Sequence, residues 1–150
     1  MYTAFLILHS WIRWVALAAG AAATVSALRV RDDASARRDV WGLALTIALD
    51  VQLVVGLLLY FAISPNMAAI RADFGAAMRS SQLRFFAVEH LSGMVVALVL
   101  AHLGRILARK AATPASRRTR QIVCYGLATL VMALATPWPG LPYGRPFFRF

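Results

Sequence analysis

Two histidines stand at matching positions in different hydrophobic segments of the chain. His9 lies about five residues from one end of the first segment, and His90 lies about five residues from one end of the third. At about 1.5 Å per helical residue, both imidazoles are expected at the same depth within one turn. Two inward imidazoles on different helices can ligate one metal ion from opposite sides, as a bis-histidine haem requires. The alternative is that each histidine is a hydrogen-bonded packing residue.

Further residues near the two histidines are candidates for the same site by chemistry or by small size. They are Arg13, Gln52, Met94, Gly56 and Gly93. The thioether of Met94, one turn from His90, is a second iron ligand in reserve, and the glycines leave room for a macrocycle. Guanidinium groups near the same end of the segments pair well with haem propionates. The arginines in that position are Arg13, Arg84 and Arg145.

Asp50, Glu89 and His102 are ionisable residues inside apolar segments, where such residues are costly and usually mark a function or a buried pair. Asp50 is expected to pair with Arg13, for which Glu89 is the other candidate. An ion pair that fixes helix order is favoured here over a proton relay. His102 follows His90 by about 18 Å along the helix and about 120° around it, which is a poor spacing for a second haem. It is expected near the inner surface, facing phosphates or another helix.

Four apolar segments would position these residues. Their boundaries are about 4–28, 40–63, 85–107 and 121–137, and each is close to the roughly 20 residues that cross a bilayer as a helix. The chain is 61% hydrophobic and only 15% charged, against about a quarter charged residues in soluble domains. The alternating pattern of barrel strands is missing. The sequence therefore predicts an all-α integral membrane four-helix bundle, with residues 1–150 as a single domain.

The positive charge indicates orientation rather than nucleic-acid binding. The net charge is +10, and the basic residues cluster in the short loops after the first and third segments. The positive-inside rule places those loops in the cytoplasm, so both termini would lie outside a bacterial inner membrane. The protein is thus expected to be multi-pass, with the lipid bilayer as its main surroundings and no nucleic-acid partner.

The loop over residues 64–84 is expected on the outer side. Its apolar residues Met67, Ile70, Phe74 and Met78 recur at helical spacing. This pattern predicts one short amphipathic helix lying on the membrane surface.

Small residues share a helical face with each histidine. They are Ala16, Gly20, Ala23 and Ala27 with His9, and Gly93, Ala97, Ala101 and Gly104 with His90. Small residues let helices pack closely in lipid, so both faces should point into the bundle.

Three sequence stretches together resemble a known family. They are Leu8-His-Ser-Trp-Ile-Arg-Trp14, then Arg84-Phe-Phe-Ala-Val-Glu-His-Leu-Ser-Gly-Met94 continuing to Ala101-His-Leu-Gly-Arg105, and Pro137-Trp-Pro with Gly144-Arg-Pro146. In these stretches the chain resembles small four-helix bacterial membrane proteins labelled cytochrome b-like. The resemblance covers nearly the whole chain and implies that His9 and His90 are its characteristic positions.

The leading hypothesis is therefore a membrane b-type cytochrome-like electron-transfer protein or subunit, with one haem b near the outer face between the first and third segments. Electrons would pass between a quinol or a partner subunit and an external acceptor. The alternative is a cofactor-free accessory subunit of a larger respiratory or transport complex in the membrane. A third interpretation has the histidines bind copper or zinc, or line a quinone pocket. An electron-transfer module is favoured over a stand-alone enzyme, because no Ser or Cys has a convincing base beside it.

Overall fold

The computed structural model describes residues 1–29 and 38–149, and this part of the chain contains helices and turns but no strand. The all-α class is therefore confirmed. The helices are α1 (Tyr2–Arg29), α2 (Val40–Leu58), α3 (Pro65–Ala72), α4 (Phe74–Arg79), α5 (Ser81–Arg84), α6 (His90–Arg109) and α7 (Pro114–Leu134). A π-helical turn, Leu59–Ile63, extends α2, and a second π turn, Phe85–Glu89, joins α5 to α6.

Three helices in the described part of the chain are long and apolar enough to cross a membrane. They are Tyr2–Arg29, Val40–Ile63 and Ser81–Arg109. The fourth predicted segment, 121–137, falls in α7, which begins with three arginines in its first two turns and ends at Leu134. The apolar part from 121 to 134 spans about 20 Å, short of a hydrocarbon core of about 30 Å. Part of the first predicted basic loop, residues 30–37, lies outside the described residues.

The four longer helices pack through their small residues. Helix α1 makes its main contacts with α2 and α7, and α6 makes its main contacts with α7 and α2. The inward faces predicted for α1 and α6 are buried at Ala16, Gly20, Ala23, Ala27, Ala97, Ala101 and Gly104. Small side chains let the helix backbones approach closely, which gives the van der Waals contact that holds helices together in lipid. Leu45 and Tyr125 fill the centre and are fully buried.

One end of the molecule, where α1 and α6 end and α2 and α7 begin, is here called the basic end. Three arginines in the first turns of α7 donate to carbonyl oxygens in the last turns of α1 and α6. The bonds are Arg118 to Ala27 (3.1 Å) and Leu28 (2.6 Å), Arg117 to Ala108 (3.2 Å), and Arg120 to Leu107 (2.7 Å). The last carbonyls of a helix have no partner within it and form the negative end of its dipole. The arginines of α7 therefore cap the C-terminal ends of α1 and α6.

A polar cluster also joins three helices at the basic end. Asp39 caps the start of α2 by accepting from the Gly42 amide at 3.1 Å, and it accepts a further hydrogen bond from the hydroxyl of Tyr125. The Nε atom of Arg105 lies 3.8 Å from the same carboxylate, and Arg105 Nη1 donates to Thr46 at 3.2 Å. One carboxylate thus ties together α2, α6 and α7.

The segment between α2 and α6 differs from its prediction. Instead of one amphipathic helix, the chain forms α3, α4 and α5, because Asp73 is extended and caps α4 by accepting from the Ala76 amide at 2.8 Å. Met67 and Ile70 are buried as the pattern predicts, but Phe74 is exposed. The break at Asp73 rotates Phe74 off the apolar face.

Candidate functional site

The opposite end of the molecule, where α1 and α6 begin and α7 ends, is here called the histidine end. His9 on α1 and His90 on α6 face each other there, with ring centroids 6.1 Å apart and ring planes 70° apart. The two helices lie across the bundle from each other, since each packs mainly on α2 and α7. The structure thus brings together the two imidazoles that residue counting places at one depth.

Each imidazole presents a defined edge to the protein. The Nδ1 atom of His90 lies 2.8 Å from the carbonyl oxygen of Ala135. A carbonyl only accepts, so this nitrogen carries the proton, and Nε2 remains for a ligand. The Nδ1–Cε1 edge of His9 faces Gly56, where a methyl group in place of the hydrogen would lie 3.2 Å from Cε1. His90 therefore keeps Nε2 for other contacts.

Gln52 on α2 supports the backbone beneath His9. Its Nε2 donates to the carbonyl oxygen of His9 at 3.0 Å. Its Oε1 and the Nδ1 of His9 are buried and have no hydrogen-bond partner within residues 1–29 and 38–149. Unpaired buried polar atoms are uncommon and call for an explanation, such as a ligand or a water molecule.

A π turn directly precedes His90. It spans Phe85–Glu89, and the rings of Phe85 and Phe86 lie 5.8 Å and 6.2 Å from the His90 ring. A π turn inserts one residue into a helix and rotates the residues beyond it, and such turns are frequent at functional sites. The turn sets which way His90 points relative to α5.

A cavity of about 160 Å³ lies between the histidines and the neighbouring helices. On this measure one water needs roughly 10–15 Å³, so the cavity is too large for a single water site. Its walls are mainly leucines and methionines of α1, α2, α6 and α7, Met94 among them. Among the described residues, its lining holds three arginines, Arg13, Arg145 and Arg149, and no aspartate or glutamate. The cavity is thus apolar with positive charge on one side.

Residues 135–149, here called the C-terminal segment, form one wall of this cavity. Arg13 Nη2 and Trp14 Nε1 both donate to the carbonyl of Phe147, at 2.9 Å and 3.0 Å. Tyr143 stacks on Phe85 with centroids 3.7 Å apart and planes 6° apart. The segment is therefore fixed to both α1 and the π turn before α6.

The predicted ion pairs of Arg13 are wrong. Arg13 bonds to the Phe147 carbonyl and to the Ser10 hydroxyl, at 2.9 Å and 3.3 Å. Asp50 bonds instead to His102 at 2.9 Å. A helical wheel fixes the face of a residue within its own helix but not the rotation of one helix against the next. Depth alone therefore selects the wrong partners for Arg13.

Glu89 pairs with Arg84, at 2.8 Å, and neither residue lines the cavity. Arg84 is thereby removed from the predicted propionate partners, while Arg13 and Arg145 remain. Arg149 also lines the cavity, and no pattern in the sequence predicts that position.

The two glycines predicted to leave room at the site have different roles. Gly56 and Met94 line the cavity, whereas Gly93 does not. A methyl group on Gly93 would lie 2.7 Å from the Cβ of Ala135, so this glycine lets α6 approach the end of α7. Gly93 therefore lies at the contact between α6 and α7 and outside the cavity lining.

The described residues around the cavity offer fewer metal-binding side chains than a structural zinc site needs. Within the described ranges, three or more His, Cys, Asp or Glu side chains nowhere come together. Zinc is usually held by three or four such ligands.

No protein-family model matches the chain, and comparisons with curated proteins and with solved structures also give no match.

Proposed function

We propose that this chain is a four-helix transmembrane protein that holds one b-type haem between α1 and α6 and acts as an electron-transfer module. The observation that carries the proposal is the pair of imidazoles, His9 and His90, that face each other at 6.1 Å from helices on opposite sides of the cavity. Imidazole nitrogens bind metal ions at about 2 Å, so His9 and His90 would be the residues that hold the haem iron.

The hydrogen bonding of His90 supports ligation. Metal-bound histidines usually donate their other ring N–H to a carbonyl or carboxylate, which fixes the tautomer and the ring orientation. His90 makes such a bond to Ala135. His9 is supported differently, through the bond from Gln52 to its backbone carbonyl.

The charge around the cavity supports an anionic ligand. Arg13, Arg145 and Arg149 line it, and none of the other described residues in the lining is acidic. Haem carries two propionates beside an apolar macrocycle, and arginine pairs well with carboxylates. The apolar walls and the three guanidinium groups match both parts of that molecule.

The room inside the cavity sets a condition on the proposal. Its volume of about 160 Å³ is close to that of an engineered cavity of about 150 Å³ that holds benzene, and a porphyrin is larger. Haem binding therefore requires one wall to move outward. The C-terminal segment is the wall to move, since it is held by side chains and carries no helix of its own beyond Leu134.

A haem bound here would supply one-electron transfer, and this chain would hold it, orient it and keep water away from it. Electrons would pass between a quinol or a partner subunit and an acceptor outside the membrane. The basic end would face the cytoplasm and the histidine end the outer side of a bacterial inner membrane. Helix α7 would be the fourth span, completed by its arginines reaching the interface.

An optical spectrum of the purified protein tests the haem. The wild type is expected to show a low-spin reduced-minus-oxidised spectrum, His9→Ala and His90→Ala to lose haem or turn it high-spin, and His102→Ala to keep the wild-type spectrum. Met94 lies one turn from His90 and can take over ligation there, so His9→Ala gives the cleaner result. A colourless protein after expression with ample haem would reject the proposal and favour the accessory-subunit hypothesis.

Cysteine labelling tests the orientation. In a Cys124→Ala background, an impermeant thiol reagent added outside should modify Ser81→Cys and should not modify Ser116→Cys. The reverse pattern would place the histidine end in the cytoplasm.

The volume of the cavity favours a second candidate, a quinone headgroup in the cavity that the two histidines line. A single six-membered ring suits about 160 Å³ without movement of the C-terminal segment. This candidate predicts a colourless protein that retains a quinone through purification, and His9→Ala should lose it. Extraction of the purified protein with organic solvent, followed by mass spectrometry, separates the two candidates.

A further inference from the structure

An acid and a base form a pair on the outer surface of two apolar helices. Asp50 Oδ1 on α2 lies 2.9 Å from His102 Nε2 on α6, and the side chains are 52% and 41% exposed. Asp50 lies about 15 Å along α2 from its start, and His102 lies about 10 Å from the end of α6, so both residues are within candidate spans. Neither residue lines the cavity. In a bilayer this pair faces hydrocarbon.

The surroundings of the pair are aliphatic. The exposed residues on the same faces of the two helices are Ile47 and Val54 on α2, and Val95, Val99 and Ile106 on α6. With Asp50 and His102 they form what is here called the α2–α6 face. Ionisable residues that face lipid are costly, and such residues usually meet another protein segment.

The chemistry of the pair identifies the partner. The existing bond uses one carboxylate oxygen and one ring nitrogen, so each residue keeps a second polar atom for another contact. A two-fold axis through the face would bring Asp50 of one copy to His102 of the other, and the reverse. An acid beside a base is self-complementary under that symmetry, whereas two acids or two bases would repel. Polar contacts between helices are a recognised source of association in lipid.

We propose that the α2–α6 face is the interface of a homodimer in the membrane. Two Asp50–His102 pairs meet at its centre, and the aliphatic side chains around them pack against their copies. The haem proposal is independent of this interface, because the histidine cavity lies elsewhere in the bundle.

Disulfide crosslinking in membranes tests the interface. In a Cys124→Ala background, coexpressed chains carrying Val54→Cys and Val99→Cys should give a disulfide-linked dimer with a mild oxidant, because the two-fold axis places Val54 of one copy beside Val99 of the other. The control pairs Val99→Cys with Val15→Cys on α1, which is as exposed as Val54, at 60% each, but lies off the face. Dimer from the Val54 and Val99 pair alone supports the interface. Equal crosslinking from both pairs, or a crosslink only to a different protein, overturns it.

The molar mass in detergent tests the role of the polar pair. The wild type should elute with twice the chain mass of 16.4 kDa after correction for detergent. The double variant Asp50→Leu with His102→Leu should elute as a monomer. The swapped variant, Asp50→His with His102→Asp, keeps an acid beside a base and should restore the dimer. A monomeric wild type, or a swapped variant that folds but stays monomeric, contradicts the proposal.

Discussion

The two ends of the molecule use polar residues in opposite ways. At the basic end, Asp39 contacts Gly42, Tyr125 and Arg105, and the arginines of α7 occupy carbonyls of α1 and α6. Among residues 1–29 and 38–149, three buried atoms at the histidine end (His9 Nδ1, Arg13 Nε and Gln52 Oε1) have no hydrogen-bond partner, against Arg105 Nε alone at the basic end, and the described lining of the cavity holds three arginines and no acid. Polar groups that satisfy one another hold helices together, whereas polar groups left open around a cavity are available to a ligand. The difference separates the part of the chain that stabilises the fold from the part suited to function.

The substitution expected to lower stability most is Asp39→Ala, at the basic end. Asp39→Ala removes the partly buried carboxylate partner of Arg105 and Tyr125 as well as the helix cap, and a hydrogen bond to a charged group contributes about 1.5–3 kcal/mol. The matched control is Asp73→Ala, since Asp73 also caps a helix but is exposed. Loss of a helix cap alone costs about 1 kcal/mol. Thermal unfolding in detergent measures both. Equal destabilisation by the two variants would show that Asp39 is only a cap.

Arg13→Leu tests the wall of the cavity. The variant loses the charged hydrogen bond to the Phe147 carbonyl, and bonds to charged groups contribute about 1.5–3 kcal/mol. We expect lower thermal stability together with a weaker hold on any bound ligand. Arg79→Leu, at an exposed arginine outside the cavity, should change stability by less than about 0.5 kcal/mol. An unchanged melting temperature for Arg13→Leu would show that the C-terminal segment is held by its aromatic contacts.

A pair of glycine substitutions compares the two ends directly. In Gly104→Ala the added methyl would lie 2.7 Å from the Tyr125 ring and 2.8 Å from the Cβ of Cys124, and such overpacking costs about 1–3 kcal/mol. In Gly56→Ala the methyl would meet only the movable His9 ring at 3.2 Å. Gly56→Ala should therefore keep its stability and change the spectrum of a bound haem. The opposite pattern would mean that the histidine end is as tightly packed as the basic end.

Gln52→Leu should have the smallest effect on folding. It removes one hydrogen bond to the His9 carbonyl but also removes a buried oxygen without a partner, and such exchanges are often close to neutral. Stability by thermal unfolding is expected to stay within about 1 kcal/mol of the wild type. A larger loss would show that Gln52 is a structural residue of the same kind as Asp39.

The amino-acid sequence predicts the parts of this structure that depend on one helix at a time. Small residues at helical spacing identify the buried faces of α1 and α6, because the period of 3.6 residues fixes a face within each helix. Residue counting then places His9 and His90 at the same depth. Both steps need only the rise and the period of an α-helix.

The rest depends on how helices turn against one another, which the spacing along one chain does not specify. Depth alone pairs Asp50 with Arg13, yet the rotation of α2 against α6 brings it to His102. The capping of α1 and α6 by arginines of α7 has no signal either, since free carbonyls occur at every helix end. The break at Asp73 does have one, because an aspartate before a run of helix formers is a common helix cap.

The C-terminal segment has a consequence for the order of assembly. A ribosome makes a chain from its N-terminus, so His9, Gln52 and His90 are all in place before residues 135–149 are made. Until then the cavity has walls from α1, α2, α6 and α7 but lacks the residues of the C-terminal segment that line it. A large ligand can enter during that interval without displacing any packed residue, and the segment would then close over it. Synthesis without the ligand would instead leave the segment closed over an empty cavity, so ligand added to the finished protein should bind far more slowly than ligand present during translation.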